Sequence, residues 1–457
     1  MRVVFLTLAA TAILYGQGNF GGLGGFGSVG RARDPVSGAG RNLQFTPFLS
    51  LMGSYSDYSG GSHGSSGSGV SRGLRALAGV HGGRAWAHTL LSAGYTGQAH
   101  YLRMSGRPER VRQSHVAQIA AVHNFSPRLG GNFSQLGGTS IGGYGLGAGF
   151  GGFGSMGMLS GLGSTQFNQS GAGVAFGNPA SNGVVDSAIL DARTNFSLSS
   201  GALSYRLTNR WILSAGGNAA FARRSGNLIN LNAQTAGGQA AYYLTEHSSV
   251  SFHYSNTWLS YPKRFGGILS QTTGIGYGRQ FSPSSRIELF IGSFDIRSDF
   301  IGRVAIDPEI AQILGVAVGY ETRRVRLRSL AGGLSFHRSW GHNHVRVSYN
   351  RGMIPGSDLL MAARRDMAAV SLGRTLSPRF NANATLMGNR SKGSVGVLHR
   401  IDQYQATGGF AIRLGASLSF NVNAGYRIIE APTRGTLRGM TAFAGLSWTP
   451  RDWAVSF

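Results

Sequence analysis

Apolar and polar residues alternate one by one through much of the chain, most plainly in SLSFNVNAGYRI at 417–428. Leu418, Phe420, Val422, Ala424, Tyr426 and Ile428 share one parity, while Ser417, Ser419, Asn421, Asn423, Gly425 and Arg427 share the other. Successive side chains of a strand point to opposite faces, so this period of two predicts a strand with one apolar and one polar side. The preceding stretch, 402–414, repeats the design. Tyr404, Ala406, Gly408, Phe410, Ile412 and Leu414 alternate with Gln403, Gln405, Thr407, Gly409, Ala411 and Arg413. Segments 211–224, 345–350 and 380–389 follow the same rule. A helix would gather its apolar residues three and four apart, and these segments do not.

The connections between such segments are of two kinds. Short ones share one chemistry: NFSPRLGG at 124–131, FSPSSR at 281–286, LSPRF at 376–380 and WTPRDW at 448–453. RLTNRW at 206–211 and LTEHSS at 244–249 are the same turn without proline. Proline has a fixed φ and no N–H, so it ends a strand while the neighbouring Ser or Thr bonds to local backbone. Phe125, Trp211, Phe281, Phe380 and Trp448 stand at the edges of these turns, where an interfacial girdle of aromatics belongs. Longer links alternate with the short ones, at 56–71, 103–113, 140–191, 261–267, 300–323, 352–363 and 390–399.

Composition agrees with strands in a membrane. Only 13% of residues are charged and glycine reaches 73, yet no segment after the first few residues has the roughly 20 continuous apolar residues of a membrane helix. In a transmembrane barrel, lipid-facing residues alternate with small polar lumen residues and no charged shell is needed. The opening MRVVFLTLAATAILYGQ reads as a signal peptide over 1–16, with Arg2 as a minimal positive region and Val3 to Tyr15 as the apolar one. Cysteine is absent, which excludes disulfides, thiolate metal sites and a lipidated-cysteine anchor.

In these features the chain resembles the bacterial outer-membrane β-barrel superfamily, porin-like in size, over roughly 43–448. The resemblance implies an all-β, antiparallel up-and-down transmembrane barrel with both termini in the periplasm. About eighteen strands fit between the turns; sixteen is the alternative, because the strands beside the glycine-rich stretch are weakly marked. Residues 17–42 would then be a Gly-rich periplasmic segment, 137–183 a long Gly-rich loop and 449–457 a short periplasmic or lumenal tail. Phe457, with Val455 and Trp453 on its parity, partly matches the C-terminal signal read by the outer-membrane assembly machinery. It departs in that the WTPRDW turn comes before it.

Charge supplies the candidate chemistry. The net charge of +25 is nearly all arginine, Lys263 and Lys392 being the only lysines. In a soluble protein it would point to nucleic acid, but export and the barrel pattern redirect it to lipopolysaccharide phosphates, acidic polysaccharide or small anionic solutes. Arg206, Arg224, Arg346, Arg413 and Arg427 lie on the polar parity with Asn421, Asn423, Gln403 and Gln405, and Glu288 is the clearest acid beside them. A guanidinium keeps its charge and holds carboxylate or phosphate in a rigid fork, so a lumen lined this way favours anions. Arg324, Arg326 and Arg328 instead share parity with Leu330, Leu334, Phe336 and Trp340. Arg328 is twelve positions from Trp340, about 30 Å along a tilted strand, which puts these arginines at lipid-phosphate height unless a bulge turns them inward. His337, His342 and His344 read as polar residues of a turn rather than zinc ligands.

The expected function is a pore for passive diffusion of small solutes, with an anion-favouring lumen and no enzymatic role or cofactor. An export conduit for an anionic exopolysaccharide is the alternative. A third possibility is a non-conducting structural or adhesive barrel closed by the Gly-rich stretch.

Overall fold

The computed structural model describes residues 43–59, 69–104, 109–141, 193–225, 230–262, 266–305, 318–355, 362–395, 400–431, 435–450 and 453–455, with single positions 307, 309, 312 and 313. The expected signal peptide, the segment 17–42 and most of the Gly-rich loop lie outside the described residues. The first strands are β1 (Leu43–Ser59), β2 (Gly69–Ala85), β3 (Thr89–Met104), β4 (Arg110–Asn124), β5 (Leu129–Ile141) and β6 (Arg193–Arg206). Next come β7 (Trp211–Arg224), β8 (Leu231–Thr245), β9 (Ser248–Ser260), β10 (Gly266–Ser282), β11 (Ser285–Ala305) and β12 (Val318–Trp340). The series ends with β13 (Asn343–Pro355), β14 (Ala362–Ser377), β15 (Phe380–Val395), β16 (Arg400–Arg413), β17 (Leu418–Ala431), β18 (Gly435–Trp448) and the short β19 (Trp453–Val455).

Each strand from β1 to β17 pairs antiparallel with its successor, and β1 pairs with β18 from Leu49↔Trp448 to Ser59↔Arg438. Eighteen strands therefore close on themselves with no free edge, so every backbone group within the wall finds a partner without water. Large apolar side chains exposed on the surface fall on one parity in each strand, among them Leu51, Leu74, Ile119, Leu203, Phe252, Ile291, Leu330 and Leu386. The register keeps that face aligned from strand to strand, as in Val347↔Val370 and Val370↔Leu386. This is the outer face of a transmembrane barrel. Side chains of the other parity point inward, where curvature crowds them.

Within the expected tail 449–457, Trp453–Val455 forms β19 and pairs with Leu43–Phe45 of β1. From Leu43 to Leu49 the partner runs from Val455 back to Trp448, one residue longer than the β1 interval.

The short turns behave as their composition requires. Ser126 Oγ accepts hydrogen bonds from the N–H groups of Arg128 (3.2 Å) and Leu129 (3.0 Å), and Thr208 Oγ1 does the same for Arg210 (3.2 Å) and Trp211 (3.0 Å). Thr245, Ser282 and Ser377 each accept from the N–H two residues on. All of these turns follow even-numbered strands, so all lie at one rim. Arg84 stacks over Trp86, Arg279 over Phe281 and Arg338 over Trp340 near the same rim, with guanidinium-to-ring distances of 5.0, 5.1 and 5.7 Å.

The inward face is not uniformly polar. Phe290, Phe294, Ile296, Ile268, Leu259 and Leu231 form a buried apolar cluster on the wall made by β7 to β12. Phe290 lies across Gly274, where a Cβ would stand 2.5 Å from its ring, so glycine is what lets the ring lie flat on the strand.

Candidate functional site

The acids are sorted by face. Among the described strand residues, Asp57, Asp295, Asp299, Asp366, Asp402 and Glu430 share the outer parity, while Glu288 and Glu321 point inward. Glu288 is engaged by Arg286, with Nη2 to Oε1 at 2.5 Å. Arginines on the inward face are thus left with few carboxylates to neutralise them.

The expected inward arginines keep their parity but do not form one ring. Arg206 ends β6 and Arg413 ends β16, both at the short-turn rim, where their N–H groups bond to the carbonyls of Arg128 and Arg379 at 2.7 Å. Arg413 Nε is buried with no hydrogen-bond partner among the described residues. Arg346 lies opposite His337 and Ser371, three residues from the start of β13. Arg427 is nearer the long-loop rim and donates to Gln405 Oε1 at 3.4 Å. Arg224 is the last residue of β7, opposite Thr194 at that same rim.

The polar set takes the inward parity too. Asn421 Nδ2 donates to Ser447 Oγ at 3.0 Å, Gln403 is buried, and Asn423 packs so closely on Gly409 that a Cβ there would meet its Oδ1 at 2.1 Å.

A second cationic group went unread in the sequence. Arg75 on β2, His100 on β3 and Arg112 on β4 are direct cross-strand partners, so they stand side by side in one inward row that continues to Met52 on β1. All three are buried; Arg75 donates to Gln98 Oε1 at 2.7 Å, and His100 Nε2 lies 3.0 Å from Ser54 Oγ. Arg365 on β14 adds a further inward guanidinium, 3.0 Å from Asn389 Oδ1. Arg75 escaped notice because Leu77, two residues on, is also inward and blurs the alternation. Arg112 falls in a stretch that reads as loop, although β4 starts at Arg110.

Arg324, Arg326 and Arg328 stand on the outer parity of Leu330, Leu334 and Trp340, and the β11–β12 ladder runs without a bulge from Ser285↔Arg338 to Ala305↔Val318. Their counter-charges come from β11. Arg326 Nε reaches both carboxylate oxygens of Asp295 at 3.0 Å, Arg328 Nε lies 3.4 Å from the same group, and Arg324 Nε bonds Asp299 at 2.9 Å. His337 and His344 point inward beside Arg346, and no group of three or more potential metal ligands occurs among the described residues.

No protein-family model matches the chain, and no curated protein matches it. Solved structures do. OpdQ of Pseudomonas aeruginosa is 10% identical, with 89% of this chain and 99% of that one covered at a TM-score of 0.42. The outer membrane protein OpdK of the same organism is 8% identical, covering 90% and 99% at 0.42. OccAB1 of Acinetobacter baumannii is 10% identical, covering 89% and 96% at 0.40.

Proposed function

We propose that this barrel is an outer-membrane pore for passive diffusion of small anionic solutes, with its short turns and both termini on the periplasmic side. The observation that carries the reading is the scarcity of carboxylates beside the inward arginines. Strand carboxylates gather on the outer surface, whereas Arg75, Arg112, Arg346, Arg365, Arg413 and Arg427 take the inward parity. Fixed cations along a path walled by low-dielectric protein raise the local anion concentration and lower the barrier for anions relative to cations.

The test is reconstitution in planar bilayers under a KCl gradient. The wild type should conduct with a reversal potential on the chloride side. Arg413→Ser with Arg427→Ser should move it towards cation permeation, most at low ionic strength, where screening is weakest. Cation preference in the wild type would refute the anion reading, and absence of any conductance would favour a closed structural barrel.

A further inference from the structure

Among the described strand residues more arginines take the outer parity than the inward one, and they are organised. On the outer face, Arg351, Asp366, Arg390, Asp402 and Glu430 are successive cross-strand partners, forming one row across β13 to β17. One step nearer the long loops, Arg364, Lys392 and Arg400 are direct partners in a second row made only of cations. Like charges placed directly opposite one another on a sheet repel, so this row needs anions against it, a part of which Asp366 and Asp402 supply to Arg364 and Arg400.

The row is held up by the carboxylates of half-buried Asp366 and buried Asp402 beneath it. Asp366 faces Arg351 Nε at 2.5 Å and Arg364 Nε at 3.7 Å; Asp402 takes Arg390 Nε at 3.1 Å and Arg400 Nε at 2.8 Å. The Asp402 side chain is 5% exposed while those of its two arginines are 47% and 42% exposed. Each carboxylate therefore forms ion pairs with two guanidiniums. On β11 and β12, Asp295 is shared by Arg326, Arg328 and Arg297 in the same manner.

Height and surroundings identify the ligand. On β12 the outer-face residues between Arg328 and Arg338 are Leu330, Gly332, Leu334 and Phe336. Those ten positions correspond to about 25 Å along the normal, the height of a barrel's apolar band. Directly below the charged rows on β13 to β17 lies an apolar groove of about 530 Å³ lined by Val347, Tyr349, Val370, Leu386, Tyr404 and Tyr426. A free phosphate needs no such groove, whereas a lipid acyl chain does.

We infer that the outer face of β13 to β17 is a docking site for a phosphorylated glycolipid of the outer leaflet, phosphate on Arg364, Lys392 and Arg400 and an acyl chain in the groove beneath. The inference rests on the orientation proposed above but not on conduction. Guanidinium and phosphate pair through charge-assisted, often bidentate hydrogen bonds, and the carboxylates hold the guanidiniums at the right height.

The experiment measures binding of lipopolysaccharide to the full-length barrel in detergent micelles by native mass spectrometry, after a heat-modifiability gel confirms folding. Arg364→Gln with Lys392→Gln and Arg400→Gln should bind about tenfold or more weakly, whereas Arg338→Gln with Arg374→Gln at the opposite rim should bind as wild type. If the triple variant fails to fold, Lys392→Gln, an exposed position, serves alone and should still weaken binding. Dephosphorylated glycolipid should bind the wild type poorly, and millimolar inorganic phosphate should not displace the lipid. Unchanged binding in the folded variants, equal binding of dephosphorylated lipid, or full displacement by phosphate would each overturn the proposal. Ion selectivity in glycolipid-free bilayers should be the same in wild type and variant, so failure here and failure of the pore reading are separable.

Discussion

Replacing Val370 by arginine tests which face of the wall meets lipid. On the outer face of β14 the sequence runs Asp366, Ala368, Val370, Leu372, Arg374, so Val370 stands midway between two charged margins. At about 2.5 Å per residue along the normal it is roughly 10 Å from either, near the centre of the apolar band. An arginine there should cost about 2–4 kcal/mol, the range for a cation at the midplane of a barrel's lipid face. Ala369, at the same height, points inward beside Ser348 and Met387, and Ala369→Arg should cost under about 1 kcal/mol because the guanidinium reaches the lumen. The assay is reversible urea unfolding into phospholipid vesicles, following tryptophan fluorescence and heat-modifiability. If Ala369→Arg proves as destabilising as Val370→Arg, the assignment of faces is wrong.

Three further outcomes follow from the same wall. Phe420→Cys should resist a membrane-impermeant thiol reagent while Asn421→Cys labels readily, and equal rates would mean the register is off by one. Ser377→Ala removes the hydroxyl that accepts from Arg379 N–H, and it should lower stability by about 0.5–1.5 kcal/mol in the unfolding assay, with no change in selectivity. Removing residues 453–457 strips β19 from the start of β1 and leaves Leu43–Phe45 unpaired on that side, so the truncated chain should fold into vesicles more slowly and in lower yield than wild type.

What the sequence discloses depends on whether the two faces of a strand meet different surroundings. Over 402–428 one face is apolar and the other polar, and β16 and β17 can be read residue by residue. On β8 to β11 the inward cluster around Phe290, Phe294 and Ile296 is itself apolar, so alternation fades although the strands are as regular as any. Beyond the membrane both faces are wet, and pattern gives no reason to continue a strand, yet β11 and β12 remain paired as far as Ala305↔Val318 because the backbone ladder carries on. The outer position of Arg324, Arg326 and Arg328 was legible because parity can be counted from Trp340. Their pairing with Asp295 and Asp299 was not, since partners 25 to 33 residues apart are set by register across strands. The inward row of Arg75, His100 and Arg112 was hidden for the same reason.

The excess of cations on the inward face is tested most directly by one set of reversal potentials in planar bilayers. Wild type, the inward pair Arg75→Ser with Arg112→Ser, and the outer pair Arg351→Ser with Arg390→Ser would be compared at about 0.1 M and 1 M KCl, where the Debye length falls from about 10 Å to about 3 Å. The account predicts chloride preference in the wild type that weakens at high salt, a shift towards potassium in the inward variant and no shift in the outer one. A wild type that prefers potassium, or an outer variant that shifts as far as the inward one, would contradict it.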